Sequence, residues 1–374
     1  MTSSDLPQGW TWEGVLDRLG EHADLDETAR HYGAITRSRV IKSGSQLLRL
    51  VLVYVLSGLS LRSTAAWAEQ TGQASFSDVA LLKRLKGCGP WLAAMVGTLS
   101  AAANPEGCCR QQGRRVVAVD ATTVCSPGGK TKPYRILHTV YDVNAQRFVT
   151  TLVTERRHAE RLDVGTVEHG DIRLGDRAYG RYDDLAAVQK AGADYVVRLS
   201  ARSLKLVTRD AEPLDRAALG MRAEREGVQT LSVRIIGDKG DEPLRARVIF
   251  LPLPPDKAEA ARRQMRRNAR KWGDTPSDEA LATAGCLMLI TSLEAEDWAT
   301  DQVLALYRRR WQVELAFKRL KSLLDLERLR AFDPDLVSAW IHGVLLVALL
   351  IDLERPAEVS TAPDSPRSAT TVGL

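Results

Sequence analysis

The fold class is decided by three successive runs of β-branched and aromatic residues: RVVAVD at 115–120, YRILHTVYDV at 134–143 and FVTTLVTE at 148–155. Each run has the length and composition of a β-strand. The segments between them, Pro127-Gly128-Gly129 and Asn144-Ala145-Gln146, are typical of turns. We therefore expect three strands joined by hairpins.

The residues after these strands alternate between helical and strand-like patterns. We expect a helical piece at His158–His169, a strand at Asp171–Gly175, a helix at Arg181–Ala191 and a strand at Tyr195–Leu199. Hairpin-linked strands followed by alternating helices and strands give an α/β order with a mixed sheet. This order predicts a ribonuclease-H-like core.

The remainder of the chain interrupts and then completes that core. In order, we expect an insertion over residues 201–285 with strands at Thr230–Ile236 and Leu244–Phe250 and a basic segment at Ala258–Lys271, a resumed strand at Cys286–Thr291, a long helix from Asp297 or Asp301 to about Asp325, an apolar helix at Val337–Leu353 and a disordered tail at Arg355–Leu374.

The N-terminal part, from Trp10 to about Trp91, has apolar residues at helical spacing and almost no strand-like alternation. Within it, Leu61–Ala68 and Ser75–Leu85 are predicted helices separated by the turn Thr71-Gly72-Gln73. This arrangement suits a helix-turn-helix that inserts its second helix into the major groove of DNA. An ordinary helical hairpin explains the same pattern equally well.

Composition excludes some classes of protein. The longest apolar run, Leu50–Leu61, is too short to span a bilayer, so we expect no membrane partner. Because Met1–Trp10 has no secretion signal and the five cysteines show no metal or disulfide spacing, we expect a cytoplasmic protein with reduced thiols. The net charge is only +5, but basic residues cluster at 110–115, 156–161, 262–271 and 308–330. Such clusters can neutralise phosphates or form solvated helix faces.

Two aspartates are predicted at the ends of buried strands. Asp120 closes the run Val116–Val119, and Asp176 follows the run Ile172–Gly175. If the two strands are neighbours, their carboxylates converge and repel each other unless a divalent cation such as Mg²⁺ or Mn²⁺ lies between them. An isolated aspartate at a strand end is more often a turn or capping residue.

The predicted long helix carries a polar stripe beside an apolar one. At about 100° per residue, the polar stripe falls within one narrow sector; it contains Tyr307, Arg310, Glu314, Lys318 and Lys321. Glu314 is either a third metal ligand that faces a cleft or a member of intrahelical ion pairs with Arg310 or Lys318. With Asp120 and Asp176, it would complete a site in which two metal ions promote an in-line displacement at a phosphate.

These segments resemble those of the DDE transposases of the insertion-sequence-four group. The string YRRRWQVELAFKRLK at residues 307–321 matches the signature Y-x2-R-x3-E-x6-K at every defined position. VDATT at 119–123 resembles the segment of the first carboxylate in that group, and GDRAYG at 175–180 resembles that of the second.

The resemblance implies cut-and-paste transposition of DNA by a transposase. Asp120, Asp176 and Glu314 would hold two Mg²⁺ or Mn²⁺ ions at terminal inverted repeats, with a hairpin intermediate and strand transfer by a homodimer that synapses two ends of double-stranded DNA. The DNA contacts implied are Tyr307, Arg310, Lys318, Lys321, Arg177 and Tyr179. The domains implied are a helical DNA-end-binding domain at 1–110, a first core part at 111–200, a mostly β insertion at 201–285, a second core part with the glutamate helix at 286–330, and a C-terminal helix and tail at 331–374.

One departure from the family pattern affects the hairpin step. Some relatives carry a tryptophan before the strand that follows the insertion, where it stacks on a flipped base, but this chain has Gly285-Cys286-Leu287. Trp272 or Trp298 is a possible substitute, because base stacking needs only an aromatic face.

Three other functions compete with that of a transposase. Another nuclease with a ribonuclease-H fold would not need the tyrosine, arginine, glutamate and lysine of the helix, and a repressor or inactive transposase is favoured only if a carboxylate is missing. A glycosidase should have an aromatic-rich cleft, but aromatic residues make up only 6% of the chain.

Overall fold

A single mixed sheet forms the centre of the chain. The computed structural model describes residues 11–102, 111–128, 133–156, 158–200, 203–324, 326 and 329–353, and in these residues nine strands occur in the order β3-β2-β1-β4-β5-β9-β8-β7-β6. The pairs β1–β4 and β4–β5 are parallel and the other neighbours are antiparallel. Their bounds are β1 Val116–Cys125, β2 Pro133–Asp142, β3 Arg147–Glu155, β4 Ile172–Gly175, β5 Asp194–Arg198, β6 Lys205–Val207, β7 Gln229–Ile236, β8 Leu244–Pro252 and β9 Cys286–Thr291.

Helices precede the sheet, link its strands and follow it. Their bounds are α1 Trp12–Gly20, α2 Leu25–His31, α3 Gly44–Leu56, α4 Leu61–Gln70, α5 Asp78–Lys86, α6 Gly89–Ala102, α7 Tyr182–Lys190, α8 Arg216–Glu226, α9 Pro255–Lys271, α10 Asp278–Thr283, α11 Thr300–Arg309, α12 Trp311–Leu323 and α13 Pro334–Leu353, with a 3₁₀ turn at Arg177–Tyr179. The six helices α1 to α6 all precede β1, as the N-terminal pattern predicts.

The sheet is apolar on both faces, because successive side chains of a strand point to opposite sides. On β1, Val116 and Ala118 pack into one core, which also contains buried residues of α3, α6, α11, α12 and α13. Val117 and Val119 pack into the other core, with Leu185 of α7. Helices therefore cover both faces, and the order of strands decides which loops meet at each edge.

Helix α13 is the most apolar long helix in the described residues. Its stretch Pro334–Asp352 is long and apolar enough to cross a membrane, with a mean hydropathy of 1.9, but 72% of that stretch is buried inside the protein. It packs against α6 and α3. A Cβ at Gly343 would lie 2.8 Å from Cγ2 of Val55, so α3 and α13 pack closely at this point. The expectation that Leu50–Leu61 is the longest apolar run was therefore wrong.

Helices α4 and α5 are connected by a turn, as the helix-turn-helix pattern predicts. Ser60 and Ser77 cap their N-termini, because their hydroxyl oxygens accept hydrogen bonds from the backbone amides of Ser63 and Ala80. Two of the three basic residues of α5 bind within the protein: Arg84 donates to the carbonyl of Ala34, and Lys86 pairs with Asp333 at 2.5 Å. Whether α5 enters a DNA groove stays a prediction.

Three predicted elements were wrong. Asp120 does not end its strand, because pairing with β2 continues to Cys125. No helix forms at residues 158–169. The guanidinium of buried Arg173 instead donates hydrogen bonds to the carbonyls of Leu162, Val164 and Thr166, which hold the segment in an irregular conformation. The insertion is mixed and not mostly β, because α8, α9 and α10 lie among its strands.

Some expectations lie outside the described residues. They concern the tail after Arg355, the pair Cys108 and Cys109, Arg110 of the first basic cluster and the segment Met1–Trp10. The other three cysteines, Cys88, Cys125 and Cys286, are buried and form no disulfide, as predicted.

Candidate active site

The parallel pairing of β1 with β4 brings the two aspartates together. Ala118 pairs with Leu174, so Asp120 and Asp176 each lie two residues beyond a paired position, and the charge of Asp176 raises the pKa of Asp120. Neighbouring strands of a sheet are about 4.8 Å apart. The predicted convergence of these carboxylates therefore follows from the observed register, although Asp120 lies within its strand and Asp176 follows the end of its own.

Asp176 caps the short 3₁₀ turn that follows β4. Its Oδ1 accepts a hydrogen bond of 2.8 Å from the amide of Ala178. The turn folds back over Gly175, where a Cβ would lie 2.9 Å from Cβ of Tyr179 and 3.0 Å from Cδ1 of Leu162. Glycine is thus required at this position to let the chain turn directly after the strand.

Asp120 lies in a poorly solvated position among other acids. Its side chain is 17% exposed, its Oδ1 accepts from the amide of Ala121 at 2.8 Å, and its Oδ2 lies 3.7 Å from Nη1 of Arg310. Burial raises the pKa of Asp120 to about 6, and the charges of Asp176 and Glu314 add to this rise, while the Ala121 amide and Arg310 oppose it. A carboxyl with these surroundings favours a nearby positive charge.

Glu314 is presented by α12, just after a junction in the predicted long helix. The amide of Arg310 donates to the carbonyl of Tyr307 and the amide of Val313 donates to that of Arg310, both at 3.1 Å and both across three residues. Such a 3₁₀ step turns the chain more tightly than an α-helix does. The predicted single helix is therefore two helices, α11 and α12, that meet at Arg310.

Arg310 connects the first and third carboxylates. Its Nη2 donates to Oε1 of Glu314 at 2.6 Å, and its Nη1 lies 3.7 Å from Oδ2 of Asp120. The arginine side chain is only 14% exposed, whereas that of Glu314 is 43% exposed. The intrahelical ion pair that the helical pattern allows is thus present. The charge of Glu314 also raises the pKa of Asp120, but its role as a metal ligand stays a prediction.

An open groove of about 420 Å³ runs along the exposed side of α12. It is lined by Thr122, Glu314, Phe317, Lys318, Lys321 and Ser322. The apolar stripe of the helix packs inward as predicted, because Val313 and Leu320 are buried in the core. The polar stripe therefore leaves two lysines beside Glu314, where they can bind an anion.

The two predicted tyrosine contacts are both buried. Tyr179 is 1% exposed and Tyr307 is 8% exposed, and the hydroxyl of Tyr179 has no hydrogen-bond partner among the described residues. Burial raises the pKa of both phenols. Tyr307 lies under Arg310, whose Cζ is 5.7 Å from the ring centroid. Both rings are therefore packed inside the protein. In the second motif, GDRAYG, Arg177 is exposed and is more accessible to DNA than Tyr179.

Arg198 is a site residue that the sequence patterns do not reveal. Gly175 pairs with Val197 in the parallel β4–β5 register, Arg198 and Asp176 each follow this pair, and the charge of Asp176 acts on Arg198. Burial lowers the pKa of Arg198, and the positive charges of Arg177 and Arg310 contribute to this fall. The signal that could have found it is its position at the end of a predicted strand, since the ends of adjacent parallel strands meet at one edge of the sheet.

The donor atoms of the site suit a hard divalent cation. Asp120, Asp176 and Glu314 supply carboxylate oxygens, which Mg²⁺ and Mn²⁺ prefer. Among the residues described, however, no three acidic, histidine or cysteine side chains are already placed to share one ion. Arg310 lies between Asp120 and Glu314, so Glu314 must exchange its arginine partner before it can join the two aspartates.

The two candidate stacking tryptophans differ in exposure. Trp298 is 3% exposed and belongs to the hydrophobic core, and its carbonyl accepts from Arg247 at 2.8 Å. It cannot stack on a base without leaving the core, so this suggestion was wrong. Trp272, which follows α9, is 87% exposed.

Comparison with known proteins matches this geometry to a family. The transposase DDE domain family matches residues 111–350, which include all three carboxylates. The chain is 39% identical over 347 residues to the transposase for insertion sequence element IS421 of Escherichia coli, across 91% of this chain and 93% of that protein. InsL for insertion sequence element IS186A of Escherichia coli K12 is also 39% identical, over 346 residues with the same coverage. The chain belongs to the DDE transposases.

As a DDE transposase, the protein is a DNA nuclease and strand transferase of an insertion sequence, and its family binds DNA and uses divalent metal ions. The glycosidase alternative is thereby excluded. A cryo-EM structure of a piggyBac transposase synaptic complex with hairpin DNA aligns with 89% of the transposase and 70% of that chain, but with 8% identity and a TM-score of 0.43 this likeness is too weak to assign a fold.

Proposed function

We propose that the transposase catalyses cut-and-paste transposition by two-metal-ion chemistry on a ribonuclease-H-like core. Asp120, Asp176 and Glu314 would hold two Mg²⁺ or Mn²⁺ ions. The observation that supports the proposal is the β1–β4 register, whose extension by two residues would bring the two aspartates together, along with the contact of Arg310 to both Asp120 and Glu314. The order of three hairpin-linked strands followed by β4, α7 and β5 supports the assignment of the core.

Some side chains of the site would bind metal ions, and others would bind phosphates. When bound, the metal ions supply an activated nucleophile and stabilise the leaving oxygen. The sheet would fix the positions of Asp120 and Asp176. Glu314 would reach them from α12 once its ion pair with Arg310 is broken. The guanidinium freed in this exchange is then available to a phosphate of the DNA, because charge-assisted bonds to phosphate replace those to carboxylate.

The groove residues would position the DNA on either side of the scissile bond. Lys318 and Lys321 face the groove beside Glu314, and exposed Arg177 follows the second aspartate. Such contacts to phosphates fix the register of the duplex without reading its sequence. Tyr307 would act through Arg310, whose guanidinium its ring supports. Tyr179, packed against Gly175, would act by fixing the turn of Asp176.

The cellular setting of the proposal follows from this chemistry. Cleavage at two terminal inverted repeats, a hairpin on the transposon end and strand transfer into target DNA need two active sites, which we assign to a homodimer. The reaction takes place on the bacterial nucleoid in the cytoplasm. Trp272, which is 87% exposed, can supply an aromatic face to a flipped base.

The test is cleavage of a labelled duplex that carries the inverted repeat, with Mg²⁺ or Mn²⁺. We expect Asp120→Asn and Glu314→Gln to retain DNA binding but to lose several kcal/mol of transition-state stabilisation, which is at least about a hundredfold in rate. The matched control is Glu226→Gln on α8. Glu226 is 48% exposed and pairs with Arg222 at 2.7 Å in the same i,i+4 geometry as Arg310 and Glu314.

Retention of normal cleavage by Glu226→Gln would show that loss of an exposed glutamate–arginine pair is harmless in itself. Metal-dependent nicking at the repeat boundary that survives both site substitutions would contradict the three-carboxylate mechanism. It would assign the nuclease activity to another cluster of residues.

A further inference from the structure

Helix α9 carries an unusual concentration of positive charge within the insertion. Its 17 residues, PDKAEAARRQMRRNARK, contain seven basic and two acidic side chains. The resulting net charge of +5 equals that of the whole chain. Outside α9 the basic and acidic residues are therefore equal in number, so the net charge of the chain comes from this helix.

One side of α9 is fixed to the body of the protein. Ala258 is 3% exposed, and the guanidinium of Arg262 pairs with Glu224 of α8 and donates to the carbonyl of Leu281 at 3.1 Å. These contacts prevent the helix from turning about its axis. The residues on its opposite side therefore have a defined outward direction.

Four arginines share that outward side. At 100° per residue they fall within a sector of about 100°, and all four are exposed and enclose an open groove of about 500 Å³ together with Ala260. This α9 arginine face consists of Arg263, Arg266, Arg267 and Arg270. The groove shares no lining residue with the one beside Glu314, so it is a separate surface.

The α9 arginine face is poorly neutralised by the protein itself. Arg263 lies 4.0 Å from Glu259, and Arg267 donates to the amide oxygen of Gln264. Neither Arg266 nor Arg270 has a carboxylate partner in the described part of the chain. Like charges three and four residues apart destabilise an isolated helix.

The simplest alternative is a solvated helix face whose basic residues complement the helix dipole. The dipole acts only within the last turn, so it accounts for Arg270 but not for Arg263 or Arg266. The neighbouring helix α8 shows the usual solution, because its exposed Arg222 pairs with Glu226 at 2.7 Å. A row of arginines that lacks such acids fits an external polyanion.

We propose that the α9 arginine face binds the sugar–phosphate backbone of double-stranded DNA, independently of sequence and outside the catalytic groove. From Arg263 to Arg270 the helix rises about 10 Å, which corresponds to about three nucleotides of one strand of a duplex. Guanidinium groups bind phosphates in a bidentate manner. This proposal rests on the proposed function in one respect: the DNA that α9 binds is the DNA that the active site cuts.

The test compares two variants that remove the same charge from different helices. Arg266→Gln/Arg270→Gln removes two unpaired arginines of α9, and Arg222→Gln/Arg225→Gln removes two exposed arginines that lie near Glu226 on α8. Glutamine has nearly the helix propensity of arginine, so both helices should persist. Binding of the full-length protein to a random-sequence duplex and to a repeat-bearing duplex is measured by anisotropy over a series of salt concentrations without divalent metal.

For the α9 variant we expect the slope of log K against log salt concentration to become shallower by about 2, since each lost phosphate contact removes about 0.9. The change should be the same on both duplexes, and Arg266→Lys/Arg270→Lys should restore the slope. The α8 variant should keep the wild-type slope. Equal slopes for the α9 and α8 variants, or an effect of α9 confined to the repeat-bearing duplex, would overturn the proposal.

The result of this test can be interpreted even if the proposed function is wrong. Binding is measured without metal, so loss or persistence of cleavage in the Asp120 and Glu314 variants does not alter its outcome. Conversely, cleavage that depends on the three carboxylates is compatible with an α9 that does not bind DNA. Far-ultraviolet circular dichroism of both double variants establishes that any change in slope comes from charge and not from unfolding.

Discussion

The substitution Asp171→Asn should destabilise the protein far more than its size suggests. Asp171 is 1% exposed and accepts hydrogen bonds from Nε and Nη2 of Arg115 at 2.8 and 2.7 Å and from the amide of Glu168 at 3.1 Å. It also lies 3.9 Å from Nε of Arg173, which is 0% exposed. Burial lowers the pKa of Arg173 to about 10, and the charge of Asp171 opposes this fall.

Asparagine at this position leaves two buried guanidinium groups without their shared counterion. Removal of one partner from a buried ion pair costs about 3–5 kcal/mol. With an unfolding entropy of about 2.1 cal/mol/K per residue, 374 residues that unfold together give about 0.8 kcal/mol/K. The expected fall in melting temperature is therefore about 4–6 °C, measured by circular dichroism or calorimetry.

Glu168→Gln is the matched control, because Glu168 binds the same arginine. Its Oε1 lies 2.9 Å from Nη1 of Arg115, but its side chain is 46% exposed. An exposed ion pair contributes about 0–1 kcal/mol, so the melting temperature should fall by no more than about 1 °C. Similar shifts for the two variants would refute the argument that the buried charge at Asp171 determines the stability of this region.

Three further outcomes are expected. Trp298→Ala should lower the free energy of unfolding by about 3–5 kcal/mol because it leaves a cavity in the core. Trp272→Ala should change this free energy by less than about 0.5 kcal/mol. Chemical denaturation measures both changes. Arg198→Gln should make the salt dependence of DNA binding shallower by about 1 if this residue binds one phosphate beside Asp176, and an unchanged slope would exclude that role. Cys88, whose pKa burial raises to about 12, should resist a thiol reagent at pH 8 in the native protein and react after denaturation, as peptide mass spectrometry can show; labelling in the native state would contradict this.

Local patterns were sufficient to predict most of the sheet. The runs that predict β2, β3, β5, β7 and β9 lie within about two residues of the observed strands. Except for β9, at least half of the residues of these strands are β-branched or aromatic, so local preference and tertiary packing agree. The confirmed family membership likewise follows from three short motifs whose order and spacing are visible in the sequence.

Features that depend on distant partners could not be predicted in this way. Strand β1 continues through Thr122 and Thr123 because β2 lies opposite them, and local polarity suggested an end at Asp120. The segment 158–169 is irregular because the guanidinium of Arg173, further along the chain, donates hydrogen bonds to three of its carbonyl groups. Helical sectors correctly indicated the polar stripe of Glu314, but not that Tyr307 lies beneath Arg310.

The position of β9 in the sheet affects how the transposase is made. This strand pairs with β5, synthesised before the insertion, and with β8, which belongs to the insertion, and the helix of Glu314 follows it. On the ribosome, the two aspartates emerge long before the glutamate, and β9 can join the sheet only when both neighbours are available. A polypeptide whose translation stops within the insertion lacks the third carboxylate and the strand that places it. Under the three-carboxylate mechanism proposed above, such truncated products would not cut DNA, so the ability to break a chromosome would be delayed until β9 and the helix of Glu314 have been synthesised.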